Sequence, residues 1–166
     1  MSSRASKTAA WLSVVSAYQV CEDRYARLLE HFGLSTAQFE VLNALHELGG
    51  AAQPTHIAER LLVTKGNVTG LLSRLGEAGW VRVGPHPSDG RSRLCELTPR
   101  ARELVAKARR AAGRFIDAQC APFSAAELAA VEDVMRRMQA HLERLDVGAL
   151  ARAAGDAEAP AERGGR

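Results

Sequence analysis

Along most of this chain the apolar residues recur at steps of three and four, the helical period, and they stop doing so in one window between Trp80 and Leu97. There, Trp80 to Val83 and Ser92 to Leu97 are short β-prone runs on either side of Gly84-Pro85-His86-Pro87-Ser88-Asp89-Gly90, a stretch made mostly of turn formers. A chain patterned in this way is expected to be all-α with a small β-hairpin, and the hairpin to have a long tip over 84–90.

Local punctuation divides the helical part. A long first helix, residues 8–32, carries Trp11, Leu12, Val15, Tyr18, Cys21, Tyr25, Leu28, Leu29 and Phe32 on its stripe and stops at Gly33. Ser35-Thr36-Ala37-Gln38 is a capping box, with Leu34 and Phe39 as its hydrophobic staple, so a second helix runs to about Leu48 with Phe39, Leu42, Leu45 and His46 inward. Pro54 suits the first turn of a short third helix ending at Leu61, and Thr64 the N-cap of a fourth with Val68, Leu71, Leu72 and Leu75 buried. Two short helices joined by a tight turn, the second headed by polar residues, form the pattern of a helix-turn-helix. After the hairpin, Thr98-Pro99 opens a fifth helix that Pro122 ends, and Ser124 to Glu127 is a second capping box before a sixth, striped from Leu128 to Leu145. From Gly148 to Arg166, eleven of nineteen residues are Ala or Gly, too little apolar area to offset chain entropy, so 148–166 is expected to be a disordered tail.

Composition narrows the classes. With 166 residues and 46% hydrophobic content the chain can bury a core without staples. No apolar run is long enough to span a membrane and the first residues do not read as a secretion signal, so no membrane partner and a cytoplasmic location are expected. Cys21, Cys95 and Cys120 lack Cys-x-x-Cys spacing and read as reduced thiols. His31, His46, His56, His86 and His141 never pair at metal-binding spacing, and there is no nucleophile elbow, phosphate-cradling loop or cofactor motif. Neither metal, cofactor nor catalysis is expected. The net charge of +3 is concentrated: Thr64 to Arg100 holds six basic residues against three acidic ones.

A polar helix followed by a basic hairpin is a device for two grooves of double-stranded DNA, the helix entering the major groove and the cationic loop the minor groove beside it. The outward face of the fourth helix presents Lys65, Gly66, Asn67, Thr69, Gly70, Ser73 and Arg74, headed by Thr64. Asn suits an adenine edge and Lys a guanine edge or a phosphate, while the glycines let the backbone come close. Arg91 stands at the hairpin tip beside Asp89, with Arg93 two residues further along the same strand.

These residues resemble a known family. Leu34 to Leu42, Ile57-Ala58-Glu59-Arg60-Leu61 with Thr64 and Val68-Thr69, then Ser88-Asp89-Gly90-Arg91 and Leu97-Thr98, are similar to the multiple-antibiotic-resistance-regulator (MarR) family of bacterial transcription factors, over roughly residues 10 to 147. The resemblance implies a winged helix-turn-helix homodimer, with residues 1–34 and 99–147 as dimerisation helices and 35–98 as the DNA-binding domain. It places Lys65, Asn67, Thr69 and Arg74 toward bases and phosphates, Arg91 in the minor groove and Asp89 as a brace of the wing. Two positions depart from the family's pattern: Gly70 where a basic residue is common, and Ala101 where a glycine follows Leu-Thr. The expected function is a repressor on a near-palindromic operator, released by a small phenolic or aromatic effector.

Family members bind effectors in the crevice between dimer and DNA-binding regions. By position Trp11, Tyr18, Tyr25 and His46 are candidates to line it, although side chains at helical spacing are first expected in the core. Two other readings follow from the same residues: a winged domain that binds protein rather than DNA, and a redox sensor using Cys21 on the first helix.

Overall fold

The computed structural model describes residues 4–156, and for residues 4, 5, 89–91 and 156 the backbone alone. Two compact units follow one another along the chain, one ending at Gln119 and the other beginning at Cys120. The first contains α1 (Arg4–Glu30), α2 (Thr36–Glu47), β1 (Ala51–Ala52), α3 (Pro54–Leu61), α4 (Lys65–Glu77), β2 (Val81–His86), β3 (Asp89–Leu97) and nearly all of α5 (Pro99–Cys120). The second contains α6 (Ala125–Leu142) and α7 (Val147–Asp156).

Caps fix where the helices begin. Ser35 accepts the Gln38 N–H at 3.2 Å while Gln38 Oε1 accepts the Ser35 N–H at 2.9 Å, so the capping box of α2 is complete. Thr64 Oγ1 accepts the Asn67 N–H at 3.5 Å at the head of α4. At the start of α6, Ser124 and Glu127 repeat the reciprocal pair, and the two hydrogen bonds from Ser124 hold the Glu127 carboxyl below its usual range. Thr98 does two jobs: its hydroxyl accepts the Ala101 N–H that heads α5 and lies within reach of the carbonyls of Gly79 and Trp80, fastening α5 to the start of β2.

The core of the first unit is mainly aliphatic. Leu29, Leu34, Phe39, Val41, Leu42, Leu45, Ile57, Val68, Leu72, Leu75, Val81, Leu97, Val105 and small alanines of α5 form one buried cluster, with Tyr25, Phe32 and Trp80 at its margin. Tyr25 lies edge-on to Phe39 at 6.3 Å and tilted against Phe115 at 5.5 Å. That burial, reinforced by the Glu40 charge, raises the tyrosine's pKa. Cys95 is also in this cluster, and burial pushes its thiol up to about 11 against the opposing pull of Arg93. A thiol raised in the fold contributes stability in full below its unfolded pKa, about 8.5, and loses it as pH rises toward the folded value. Stability measured by urea unfolding should therefore decline between about pH 8.5 and 11, and Cys95→Ala should flatten that decline; an unchanged slope would count against it.

The sheet differs from the expected long-tipped hairpin. All three strands are antiparallel in the order β1-β3-β2, and Pro87-Ser88 alone separates β2 from β3. The tip shortens because His86 turns back on it: Nδ1 accepts the Ser88 N–H at 3.3 Å and lies 3.0 Å from the Ser88 hydroxyl. Pro85 is tolerated since β2 is an edge strand, where a missing N–H breaks no inner ladder. The two-residue β1 gives no period to detect; it pairs Ala51 with Glu96 and Ala52 with Cys95.

A second correction concerns the tail. Residues 147–156 are the helix α7, headed by Asp146, whose carboxylate accepts the Ala149 N–H at 2.9 Å. Alanine has the highest helix propensity, and with a capping carboxylate a run too poor in apolar area to form a core still forms a helix. The rest of the expected tail, 157–166, lies outside the described residues. The sixth helix is also shorter than its stripe implied, ending at Leu142 rather than Leu145.

Candidate nucleic-acid interface

One glycine and one leucine shape the helix-turn-helix. Gly79 ends α4 at φ +74°, a conformation glycine adopts without strain. Leu62 closes α3 in the same left-handed region at φ 56° although it is not glycine, and is 93% exposed. Its N–H reaches the carbonyl of Glu59, and the Val63 N–H that of Ala58, so the turn between α3 and α4 is closed by backbone hydrogen bonds. Nothing in the apolar pattern distinguishes Leu62 from an inward leucine.

The turn delivers α4 with Val68, Leu72 and Leu75 buried and the opposite face open. Thr64, Lys65, Gly66, Asn67, Thr69, Gly70, Ser73 and Arg74 are all exposed, the set expected from the sequence. Part of their hydrogen-bonding capacity is used within the helix. Thr69 Oγ1 donates to the Lys65 carbonyl at 2.9 Å, Arg74 Nε to the Gly70 carbonyl at 3.3 Å, and Ser73 Oγ to Glu77 at 3.4 Å. Thr69 thus offers a methyl group and Arg74 its outer guanidinium nitrogens. A Cβ on Gly66 or Gly70 would meet nothing within 4 Å, so the fold does not demand glycine at either position. Gly70→Ala should stabilise the protein by roughly 0.8–1 kcal/mol through helix propensity alone, a rise visible in a thermal melt; a fall would show that the backbone there is constrained.

Beside α4 stands the hairpin. Arg82 and Arg93 are exposed on it, and the backbone of Asp89 to Arg91 begins β3, while the side chains of Asp89 and Arg91 lie outside the described residues. At its base the Arg100 guanidinium sits 4.6 Å above the Trp80 ring, a cation–π contact joining α5 to the start of β2.

The four residues considered for an effector crevice are not brought together. Tyr25 is half-buried between Phe39 and Phe115, but Trp11 and Tyr18 are 60% and 66% exposed and His46 is exposed too. Core packing is thus corrected for these three, because helical spacing specifies a stripe without specifying what covers it. A groove of about 820 Å³ on α1 is lined instead by Leu12, Ser16, Val20, Cys21 and Arg24, with Phe115 and Gln119 of α5. Half-buried Cys21 donates its S–H to Gln119 Oε1 at 3.3 Å. Among the described residues no three His, Cys, Asp or Glu side chains gather to hold a metal, and no helix is long and apolar enough to cross a membrane.

A helix-turn-helix with an exposed polar second helix and a small three-stranded sheet beside it, its hairpin formed by β2 and β3, defines the winged helix-turn-helix DNA-binding proteins. Residues 32–92 match the sequence model of the MarR family. The HTH-type transcriptional regulator Mb0904 of Mycobacterium bovis is 32% identical over 61% of this chain and 70% of its own length. The chain belongs to the MarR family of DNA-binding transcriptional regulators. Among solved structures, AbsC of Streptomyces coelicolor, a MarR family regulator, superposes with a TM-score of 0.73 at 19% identity, covering 83% of this chain and 95% of that one. Bordetella bronchiseptica BpsR, whose DNA binding is regulated by 6-hydroxynicotinic acid, gives a TM-score of 0.66 at 27% identity over 76% and 89%.

Proposed function

We propose that this regulator binds a near-palindromic operator as a homodimer, each copy laying α4 in a major groove and its hairpin in the neighbouring minor groove, and that it represses by occluding a promoter. The observation that carries this reading is the exposed polar face of α4, made by Lys65, Asn67, Thr69, Ser73 and Arg74 and headed by Thr64. Thr64 at the head of α4 and Lys65, Asn67, Thr69, Ser73 and Arg74 on it are the proposed contacts of the helix, and Asp89, Arg91 and Arg93 those of the wing. Twofold pairing is supported by two apolar faces that nothing described covers: Trp11, Val14 and Tyr18 on α1, and Val131, Val134, Met138 and Leu142 on α6, a helix with no buried residue. A dimer would bury such faces and put half-sites about 10 bp apart.

The proposed effector is a small aromatic acid, a class supported by the ligand of BpsR. The α1 groove suits it chemically, with Arg24 for a carboxylate and Phe115 for a ring, and Tyr25 packs behind Phe115. Such a ligand acts only through its preference for one arrangement of the two reading helices over another.

Selection of duplexes from a randomised pool, with sedimentation of the free protein, tests the whole reading. A sedimenting dimer that enriches an inverted repeat is the expected result. A monomer at micromolar concentration that enriches no duplex would leave the protein-binding winged module as the better account.

A further inference from the structure

Glu47 stands where helix physics disfavours it. It is the last residue of α2, and a carboxylate in the last turn opposes the negative end of the helix dipole. Two guanidiniums from distant elements hold it there. Arg60, in the last turn of α3, donates to Oε2 at 2.6 Å, and Arg109, halfway along α5, donates to Oε1 at 3.2 Å. Arg109 also bonds the side-chain oxygen of Asn43, one turn earlier on α2, and the Asn43 amide donates to Glu47 Oε1 at 3.4 Å. The hydrogen bonds from Arg109 and Arg60 hold the Glu47 carboxyl below the ordinary carboxylate range.

One carboxylate therefore divides its two oxygens between the helix that leads into α4 and the helix that carries the chain on to the second unit. Arg60 sits two residues before Leu62, and three residues later α4 begins. At the C-terminal end of α3 Leu61 alone packs against the core, while Glu59, Arg60, Leu62, Val63 and Thr64 face solvent. Neither Arg60 nor Arg109 belongs to the open face of α4.

We propose that Glu47 is a positioning residue for DNA recognition: with Arg60 and Arg109 it fixes the pose of the α3–α4 reading head against α5. All three side chains are partly solvated, so the pairs add little to global stability and act on orientation. The proposal rests on α4 being the DNA-facing helix. Simple electrostatics gives the opposite sign, since taking a carboxylate off a DNA-binding unit strengthens its attraction to phosphates.

The test uses the full chain and a duplex enriched by the wild-type protein from a randomised pool, with affinity measured by fluorescence anisotropy at about 0.1 and 0.2 M salt. Glu47→Ala and Arg109→Ala should each weaken binding by about tenfold, and the double variant should lose no more than either alone, as coupled residues do. The salt slope of Glu47→Ala should be unchanged, because no phosphate contact is lost. Glu47→Gln, which keeps an acceptor oxygen for one guanidinium, should recover most of the affinity. Hydrogen exchange of the backbone amides of residues 56–62 should quicken in Glu47→Ala while the melting temperature moves little. Binding by Glu47→Ala that equals or exceeds wild type, or additive losses in the double variant, would overturn the proposal. A wild-type chain that enriches no duplex sinks the DNA reading itself, and unchanged exchange in Glu47→Ala then rejects the brace on its own.

Discussion

Replacing Lys65 and Asn67 together by alanine is expected to abolish selective DNA binding while leaving the fold intact. Each well-formed contact to a base edge is worth about 1–3 kcal/mol of discrimination, and in a dimer every substitution acts twice. The paired variant should therefore lose on the order of a hundredfold or more in affinity for an enriched duplex, with a smaller loss on random DNA. Both side chains are exposed on α4, and alanine is the better helix former, so the thermal melt should stay where it is or rise slightly. Anisotropy titrations beside a circular-dichroism melt separate the two quantities. Retention of wild-type selectivity would mean that α4 does not read base edges.

The second large effect lies in the core. Leu45 is fully buried on α2, and the aliphatic cluster that takes in α2, α3, α4, β3 and α5 closes around that helix. Truncation to alanine removes three heavy atoms from a closely packed site, at a cost of about 2–5 kcal/mol. For a chain of this length that corresponds to a fall in melting temperature of roughly 5–15 °C. DNA affinity should fall with it only near the new melting temperature, since the exposed face of α4 is unaltered. A shift of under about 1 °C would mean that the cluster relaxes around the gap far more freely than cores of ordinary density do.

The two predictions separate because the fold separates two faces of one helix. Val68, Leu72 and Leu75 anchor α4 to the body, and Lys65, Asn67, Thr69 and Arg74 are what the anchoring presents. The glycines at 66 and 70 belong to the second set. No clash in the protein requires them, so an alanine that raises stability and lowers affinity would assign them to contact with the duplex.

Much of this was legible in the sequence because the relevant interactions are short-range. Ser35 with Gln38, Ser124 with Glu127, and Thr64 with Asn67 are hydrogen bonds across three residues, so the residue types alone announce the helix starts. The period of Val68, Leu72 and Leu75 likewise determines which face of α4 is left open, and with it most of the candidate interface. The family pattern, spread across both helices and the hairpin, was readable for the same reason.

Other features depend on residues far apart in the chain. The spacing of Trp11 and Tyr18 is that of a buried stripe, yet nothing described lies over them; a period states that a face is apolar and is silent on its cover. His86 closes the wing tip, and a histidine carries no turn signal of its own. Ala51 and Ala52 become a strand only because β3 offers them a ladder. Glu47 reads as an exposed acid at a helix end until α3 brings Arg60 across thirteen residues and α5 brings Arg109 across sixty-two. Local hydrogen bonds and periodicity thus determined the helices and the open face of α4. Only the tertiary structure decided what holds that face in place, because ion pairs and strand ladders exist when distant segments meet and leave no trace in the spacing of either segment.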